Sequence, residues 1–350
     1  MAFDDLKGIQ AERTPEERDA SLVRLIEYSG ELFDNYFDKF IDISAGTFRT
    51  DKESQALLEK IKEDLRVKPE FTESDLKSYI FAKVGEEYED DDGQHFIGIY
   101  TGLLLEILTE RNRAKGKRTR FHINGQGNEF DDLFYGATNI DDLIVENFKG
   151  FNICTSVGTN GTAGTVIVKD IEGGYTLHKA GGFKGRINNI IAIGLEGDHI
   201  LEDTAKNEGR VDLIITKNIR GKSTLLSAAY NGSVDMIVAK DIIGNGTGIG
   251  IGHYGESNII VYENLLGKDN LFGNILFYQK YSMGDQKPLK TNQLLAGKTI
   301  RKYMKDSPFC KILELIDSLQ GKNAKEVYSI TKEIRTEYEQ IGDIGKRDIR

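Results

Sequence analysis

Glycine recurs along the middle of this chain with a period of 23 or 24 residues, and that recurrence narrows the possible folds. One column is Gly150, Gly173, Gly197, Gly221, Gly244 and Gly267; a second is Gly161, Gly185, Gly209, Gly232 and Gly255. An apolar column, Ile153, Leu177, Leu201, Leu225 and Ile249, keeps step with them, and Ser156, Ala180, Thr204, Ala228 and Gly252 follow it three residues later. Before each first-column glycine runs an apolar, β-branched segment such as 166–173 (VIVKDIEG) or 214–221 (IITKNIRG). Three residues before that glycine stands Asn147, Asp170, Asn218, Asp241 or Asn264, with Gly194 interrupting the series. The segment 120–127 fits the same frame one period earlier, with Asn124 in the column.

A unit of this length cannot close a core, so successive units must stack. Short β-branched runs bounded by Gly and Asn read as strands. A leucine-rich repeat would need a helix in each unit, which 244–257 (GNGTGIGIGHYGES) cannot supply. The expectation is a right-handed parallel β-helix over 121–284. About seven coils at ~4.8 Å each would make a rod on the order of 34 Å long. The glycine columns are expected to form corners with positive φ. The column Asn124, Asn147, Asp170, Asn218, Asp241 and Asn264 is expected to form a structural ladder of side-chain hydrogen bonds.

The stretch 244–267 (GNGTGIGIGHYGESNIIVYENLLG) resembles the GXGXG solenoid found at the C-terminus of glutamate synthase and in one of the subunits of formylmethanofuran dehydrogenase. The resemblance covers about 121–284. It implies a solenoid that serves as spacer and contact surface, with no catalytic residues of its own to carry over.

The flanks differ from the middle. Residues 1–110 carry 27 acidic and 13 basic side chains, residues 285–350 carry 10 and 14, and all four prolines lie outside the repeat. We read 1–112 as an acidic α-helical domain, 113–120 as a basic linker and 285–350 as a basic α-helical segment. Thr14, Pro15 and Glu17 form a capping signal for a first helix. Further helices are expected at 52–66, 72–88, 95–112, 308–320 and 323–341. A solenoid needs its open ends covered, so the helical flanks are expected to cap it, and they offer surfaces for homo-oligomerisation.

No apolar run reaches the length of a membrane helix, and the acidic N-terminus is not a secretory signal. Two cysteines, Cys154 and Cys310, cannot build a disulfide framework. The expectation is a cytoplasmic protein with reduced thiols. Gly221-Lys222-Ser223 and Gly297-Lys298-Thr299 end like phosphate-binding loops, but Thr216 and Asn292 stand where the earlier glycine is required. Gly250, Gly252 and Gly255 satisfy G-x-G-x-x-G inside the repeat, without the strand and helix that such a site needs. The acidic run 86–92 lacks EF-hand spacing. The five histidines share no face, so no metal or cofactor is expected.

Two constellations carry possible chemistry. Asp198, Glu202 and Asp203, with Arg186 and Arg210, are the best match to the clustered carboxylates of carbohydrate-active β-helix enzymes. The stronger signal is 111–120, with six basic and no acidic side chains. Arg111, Arg113, Lys115, Lys117, Arg118 and Arg120 are candidate nucleic-acid contacts through phosphate charge. Arg301, Lys302 and Lys305 are expected to extend the site, as are Lys287, Lys290, Lys346, Arg347 and Arg350 if they lie nearby. The functional expectation is a non-catalytic scaffold that presents surfaces to a macromolecular partner, RNA or a ribonucleoprotein such as the ribosome. A protein-only assembly subunit is the alternative, and a carbohydrate-active enzyme the third reading.

Overall fold

In the computed structural model the described residues are 15–44, 52–67, 70–86, 91–268 and 290–345. Thr14, residues 87–90 of the acidic run, Lys287, Lys346, Arg347 and Arg350 lie outside them. Four helices come first: α1 (Pro15–Ser44), α2 (Lys52–Val67), α3 (Glu73–Lys83) and α4 (Asp91–Ala114). Eight strands follow: β1 (Arg120–Asn124), β2 (Ile140–Glu146), β3 (Thr162–Glu172), β4 (Arg186–Glu196), β5 (Arg210–Arg220), β6 (Ser233–Ile243), β7 (Glu256–Leu266) and β8 (Lys290–Ala296). Three helices follow the last strand among the described residues: α5 (Gly297–Tyr303), α6 (Pro308–Ser318) and α7 (Ala324–Gly345). The strands form one parallel sheet in sequence order, a β-solenoid of about six turns. The strand series thus reaches Ala296, past residue 284.

Inward residues of the strands, among them Leu143, Val166, Ile190, Ile214, Ile237 and Ile260, stack in register and are buried. The outward middle row, Ile144, Ile167, Ile191, Ile215, Val238 and Val261, is equally buried. A sheet apolar on both faces must be covered on both. On the inner side each coil returns through a ribbon of turns. On the outer side α5–α7 lie against the strands through Ile300, Ile312, Leu313, Ile316, Val327 and Ile334. The C-terminal helices therefore cover a flank of the solenoid, where the strands carry a second apolar row.

The turn ribbon has an unusual backbone. In residues 152–160 every second residue is left-handed: Asn152, Cys154, Ser156, Gly158 and Asn160 have φ of 58°, 57°, 57°, 70° and 54°. Their N–H groups bond alternately to the following coil (Asn152 to the Gly174 carbonyl, Ser156 to that of His178) and the preceding one (Cys154 to Leu133, Gly158 to Ala137). The residues between them close short turns, with Thr155 N–H on the Asn152 carbonyl and Val157 N–H on that of Cys154. Backbone groups thus find partners without a second sheet. The register shows that Cys154 and Gly248, rather than Ile153 and Ile249, share the column of Leu177, Leu201 and Leu225. The extra residue of the 24-residue coils sits at Lys184 and Glu208, where two left-handed residues follow one another.

The Asn/Asp column proves to be a left-handed position, just past the end of β2 and inside β3 to β7, and the register sets Asn124 opposite Glu146 rather than opposite Asn147. Asn147, Asp170, Gly194, Asn218, Asp241 and Asn264 have φ of 54°, 52°, 65°, 54°, 53° and 56°. Asn, Asp and Gly are the residues that enter this region most readily, which also explains why Gly194 replaces the pattern. A direct side-chain bond of the expected ladder joins Asn264 to Asp241 at 2.7 Å, whereas Asn124 bonds to Glu146 and Asn218 to Gln320.

At the first coil no preceding coil exists, and α4 takes its place. Phe134 N–H, which would point to that missing coil, donates to the Thr101 hydroxyl at 3.0 Å, and Thr138 N–H donates to Glu106 Oε1 at 2.6 Å. Glu106 is fully buried and pairs with Lys62 at 2.6 Å. The N-terminal helices thus close the open edge with side-chain acceptors as well as apolar contact. Glu106→Leu should therefore cost more than about 3 kcal/mol in urea unfolding, because it leaves Thr138 N–H without its acceptor and takes from the buried Lys62 its one buried carboxylate, leaving only the exposed Glu59 at 3.0 Å. Gly221→Ala should cost more than about 3 kcal/mol, because its Cβ would overlap the carbonyl of Gly197 one coil earlier. Gly116→Ala, also left-handed but in open space, should cost only about 1 kcal/mol.

Candidate nucleic-acid interface

The basic tract spans the end of α4, a tight turn and the start of β1. Gly116, at φ 69°, turns the chain, and its N–H donates to the Arg113 carbonyl at 2.9 Å. The six cations have different surroundings. Arg111 is half-buried over the Phe71 ring at 5.0 Å, and desolvation lowers its pKa from the ordinary value. Arg113 pairs with Asp141 at 2.8 Å. Lys115 stands 4.0 Å from Glu70, and Lys117 is exposed. Arg118 grips Asp142 with Nε and Nη2 at 2.8 and 2.7 Å. Arg120 lies over the Tyr328 ring at 4.0 Å and donates to its hydroxyl at 3.1 Å.

Asp142 is the hub of this corner. Burial alone would raise its pKa, but hydrogen bonds from Arg118 and Tyr328 outweigh that and hold the carboxyl below its ordinary value. Tyr328 donates to Asp142 Oδ2 at 2.8 Å, and burial together with that bond raises the phenol.

Arg301, Lys302 and Lys305 are elsewhere. Arg301 bridges Glu263 on β7, at 3.1 Å, and Asp317, at 2.7 Å. Lys302 lies over the Tyr303 ring, and Lys305 is exposed. β1 and β7 are six strands apart, roughly 29 Å, so the structure does not bring the two groups together. It brings α7 instead. This helix runs across the sheet, from Tyr328 at Asp142 on β2 to Tyr338 at Asp235 on β6. It carries Lys332 and Arg335 to Arg118 and Arg120, around a cavity of about 300 Å³ also lined by Thr165, Asn189 and Thr331. Sequence reading missed these two cations, although Tyr328, Thr331, Lys332 and Arg335 follow the spacing of one helix face.

The carboxylate cluster and its two expected arginines lie in different places. Glu202 lies 2.7 Å from His199 Nδ1, and Asp203 pairs with Lys206 at 2.8 Å, both on the turn ribbon. Arg186 and Arg210 instead face Asp212 and Asp235 on the strands. The charge column Lys149, Glu172, Glu196 and Arg220 does stack coil on coil, with pairs at 2.8 and 3.9 Å. Burial lowers the His178 pKa to about 4. Among the described residues no three His, Cys, Asp or Glu side chains gather to hold a metal ion. Both cysteines are free and buried.

No protein-family model, no curated protein and no solved structure matches this chain. Among the described residues no helix is long and apolar enough to cross a membrane.

Asp142→Asn tests the hub. Because the folded pKa of Asp142 is depressed, its contribution is fully present above the ordinary carboxylate range and is lost as pH falls through the folded value. The variant should lose about 2 kcal/mol at pH 7, and the difference from the wild type should begin to shrink only as pH falls below about 4 and vanish below the depressed folded value, as read by urea unfolding across pH.

Proposed function

We propose that this chain is a non-catalytic binding protein, a rigid β-solenoid that offers a basic corner to RNA or a ribonucleoprotein in the cytoplasm. The observation that carries the reading is the exposed group Arg113, Lys115, Lys117, Arg118 and Arg120, joined by Lys332 from α7. Carboxylates pair several of these cations from the buried side: Asp142 is fully buried and Asp141 nearly so. The positive groups face outward while their counter-charges lie beneath, a surface suited to phosphate backbones. Kinship with GXGXG solenoids belongs to this proposal; the glycine columns support it, and the spacer role of those solenoids agrees with it.

A second reading, docking of a protein partner, has one observation in its favour. Ile243 and Leu266 are about half exposed and paired in register, at strand ends where earlier coils carry Glu172, Glu196 and Arg220.

Fluorescence anisotropy with a labelled 20-nucleotide single-stranded RNA separates the two. The RNA reading expects binding at 50 mM salt that weakens steeply by 300 mM, and at least tenfold loss in Lys115→Glu/Lys117→Glu. Absence of binding by the wild type at low salt rejects it.

A further inference from the structure

The recess between β1, β3, β4 and α7 is open to solvent and gathers four cationic side chains, Arg118, Arg120, Lys332 and Arg335, around one volume. Beneath it, Asp142 takes two donors of Arg118, and Tyr328 takes one of Arg120. Arg335 gives Nε to Glu339 at 2.9 Å and Nη1 to Asp212 and Asn189 at 3.3 and 3.5 Å. A guanidinium has five N–H donors in a fixed fork. Among the described residues, Nη1 of Arg118, Nε and Nη1 of Arg120 and Nη2 of Arg335 have no hydrogen-bond partner. Lys332 lies 5.0 Å from the Tyr328 ring on the opposite rim, with a compact ammonium able to reorient its three donors. Asn189 Nδ2 donates to the Thr165 hydroxyl at 3.1 Å, and Thr165 also lines the cavity.

We propose that this cavity seats a single phosphate group, held by Arg118, Arg120, Lys332 and Arg335 and oriented by Thr165. The forks are already fixed by Asp142, Tyr328 and Asp212, so little side-chain freedom remains to be lost on binding. Nearly planar guanidinium groups offering unused N–H edges match the oxygen geometry of phosphate. The polar lining argues against an aliphatic ligand. The inference deepens the RNA reading, because an RNA strand on the neighbouring basic corner would supply the phosphate. The same chemistry would take a free phosphate or a nucleoside monophosphate.

Asn189→Asp is the sharpest test. Its carboxylate can still accept from Arg335 and from the Thr165 hydroxyl, in place of the bond that Asn189 Nδ2 donates, while a negative charge enters the cavity. Lys332→Ala is the companion, since its head group is exposed and makes no ion pair among the described residues. Inorganic phosphate, with chloride at matched ionic strength as control, is titrated against thermal unfolding of the full chain. The expected result is a phosphate-specific rise in Tm for the wild type and at least a tenfold weaker apparent affinity in both variants. A Tm rise equal in wild type and variants, or none in the wild type, overturns the proposal. RNA anisotropy on the same proteins separates the two inferences. If Asn189→Asp binds RNA and phosphate as the wild type does while Lys115→Glu/Lys117→Glu loses RNA, the cavity inference fails and the RNA reading stands. If phosphate raises Tm through the cavity but RNA never binds, the RNA reading fails and the cavity is a small-anion site. Comparing 5′-phosphorylated with 5′-hydroxyl RNA tells the source: a tenfold preference marks a terminal phosphate, and equality with phosphate competition marks a backbone phosphate.

Discussion

The structure depends on how closely one coil can lie on the next. At the first glycine column the Cα of each coil rests against the carbonyl of the equivalent glycine one coil before: Gly173 on Gly150, Gly197 on Gly173, Gly221 on Gly197, Gly244 on Gly221 and Gly267 on Gly244. Any Cβ there would overlap that oxygen, and the second column meets backbone carbonyls in the same way at Gly185, Gly209, Gly232 and Gly255. Both corners of the coil are thus set by backbone-to-backbone packing. The β-sheet hydrogen bonds between corners form only if the corners stack this tightly. The left-handed conformation contributes at the first column, with φ of 140–157° where it is positive, but close approach is the stronger requirement.

That requirement explains what was legible in the sequence and what was not. A steric demand repeated at every coil leaves a glycine at every coil, so the period, the solenoid class and the strand positions could be read directly. The Asn/Asp column could be located, but its cause is conformational: Asn and Asp are there to turn left-handed, and the amide ladder is a local addition at Asn264. The turn ribbon was hidden because Leu177, Leu201 and Leu225 are left-handed, at φ of 59°, 57° and 57°. Such a conformation costs an ordinary side chain about 1–2 kcal/mol. Their complete or near-complete burial in the core offsets this by a similar amount. No propensity argument anticipates a strained backbone stabilised by tertiary packing.

The two helical layers are docked in different ways. The N-terminal layer supplies acceptors to an exposed edge, as Thr101 and Glu106 show. The C-terminal layer sits on a flat apolar face and is fixed in register by a polar seam. Lys217, buried on β5, donates to the carbonyls of Ile316 and Asp317 at 2.8 and 3.0 Å, near the end of α6 where helix carbonyls lack internal partners. One coil on, Lys240 pairs with both Glu263 and Asp317, and Arg301 closes the network on the same two carboxylates. Burial lowers the Lys217 pKa, although nearby Asp317 opposes it. An apolar row would let α6 slide along the sheet; a lysine that needs one pair of carbonyls fixes it. Arg301, which reads from sequence as a surface cation, is consumed by this seam.

The same pairing of charges decides where the free cations lie. The chain carries a net charge of −10, so its overall field repels polyanions, and attraction must be local and short-ranged. Much of the basic tract meets carboxylates, yet those partners lie under the cations. Arg118 is about half exposed over a fully buried Asp142, and Arg113 is exposed over a nearly buried Asp141. A buried carboxylate holds its guanidinium by one edge and leaves the other edge facing water. The acids therefore position the basic corner without covering it. That arrangement was invisible in the sequence, because it depends on β2 lying beside β1 and on α7 crossing the sheet to place Lys332 and Arg335 opposite. The sequence shows how many cations there are; only the pairing shows which of their donors remain free.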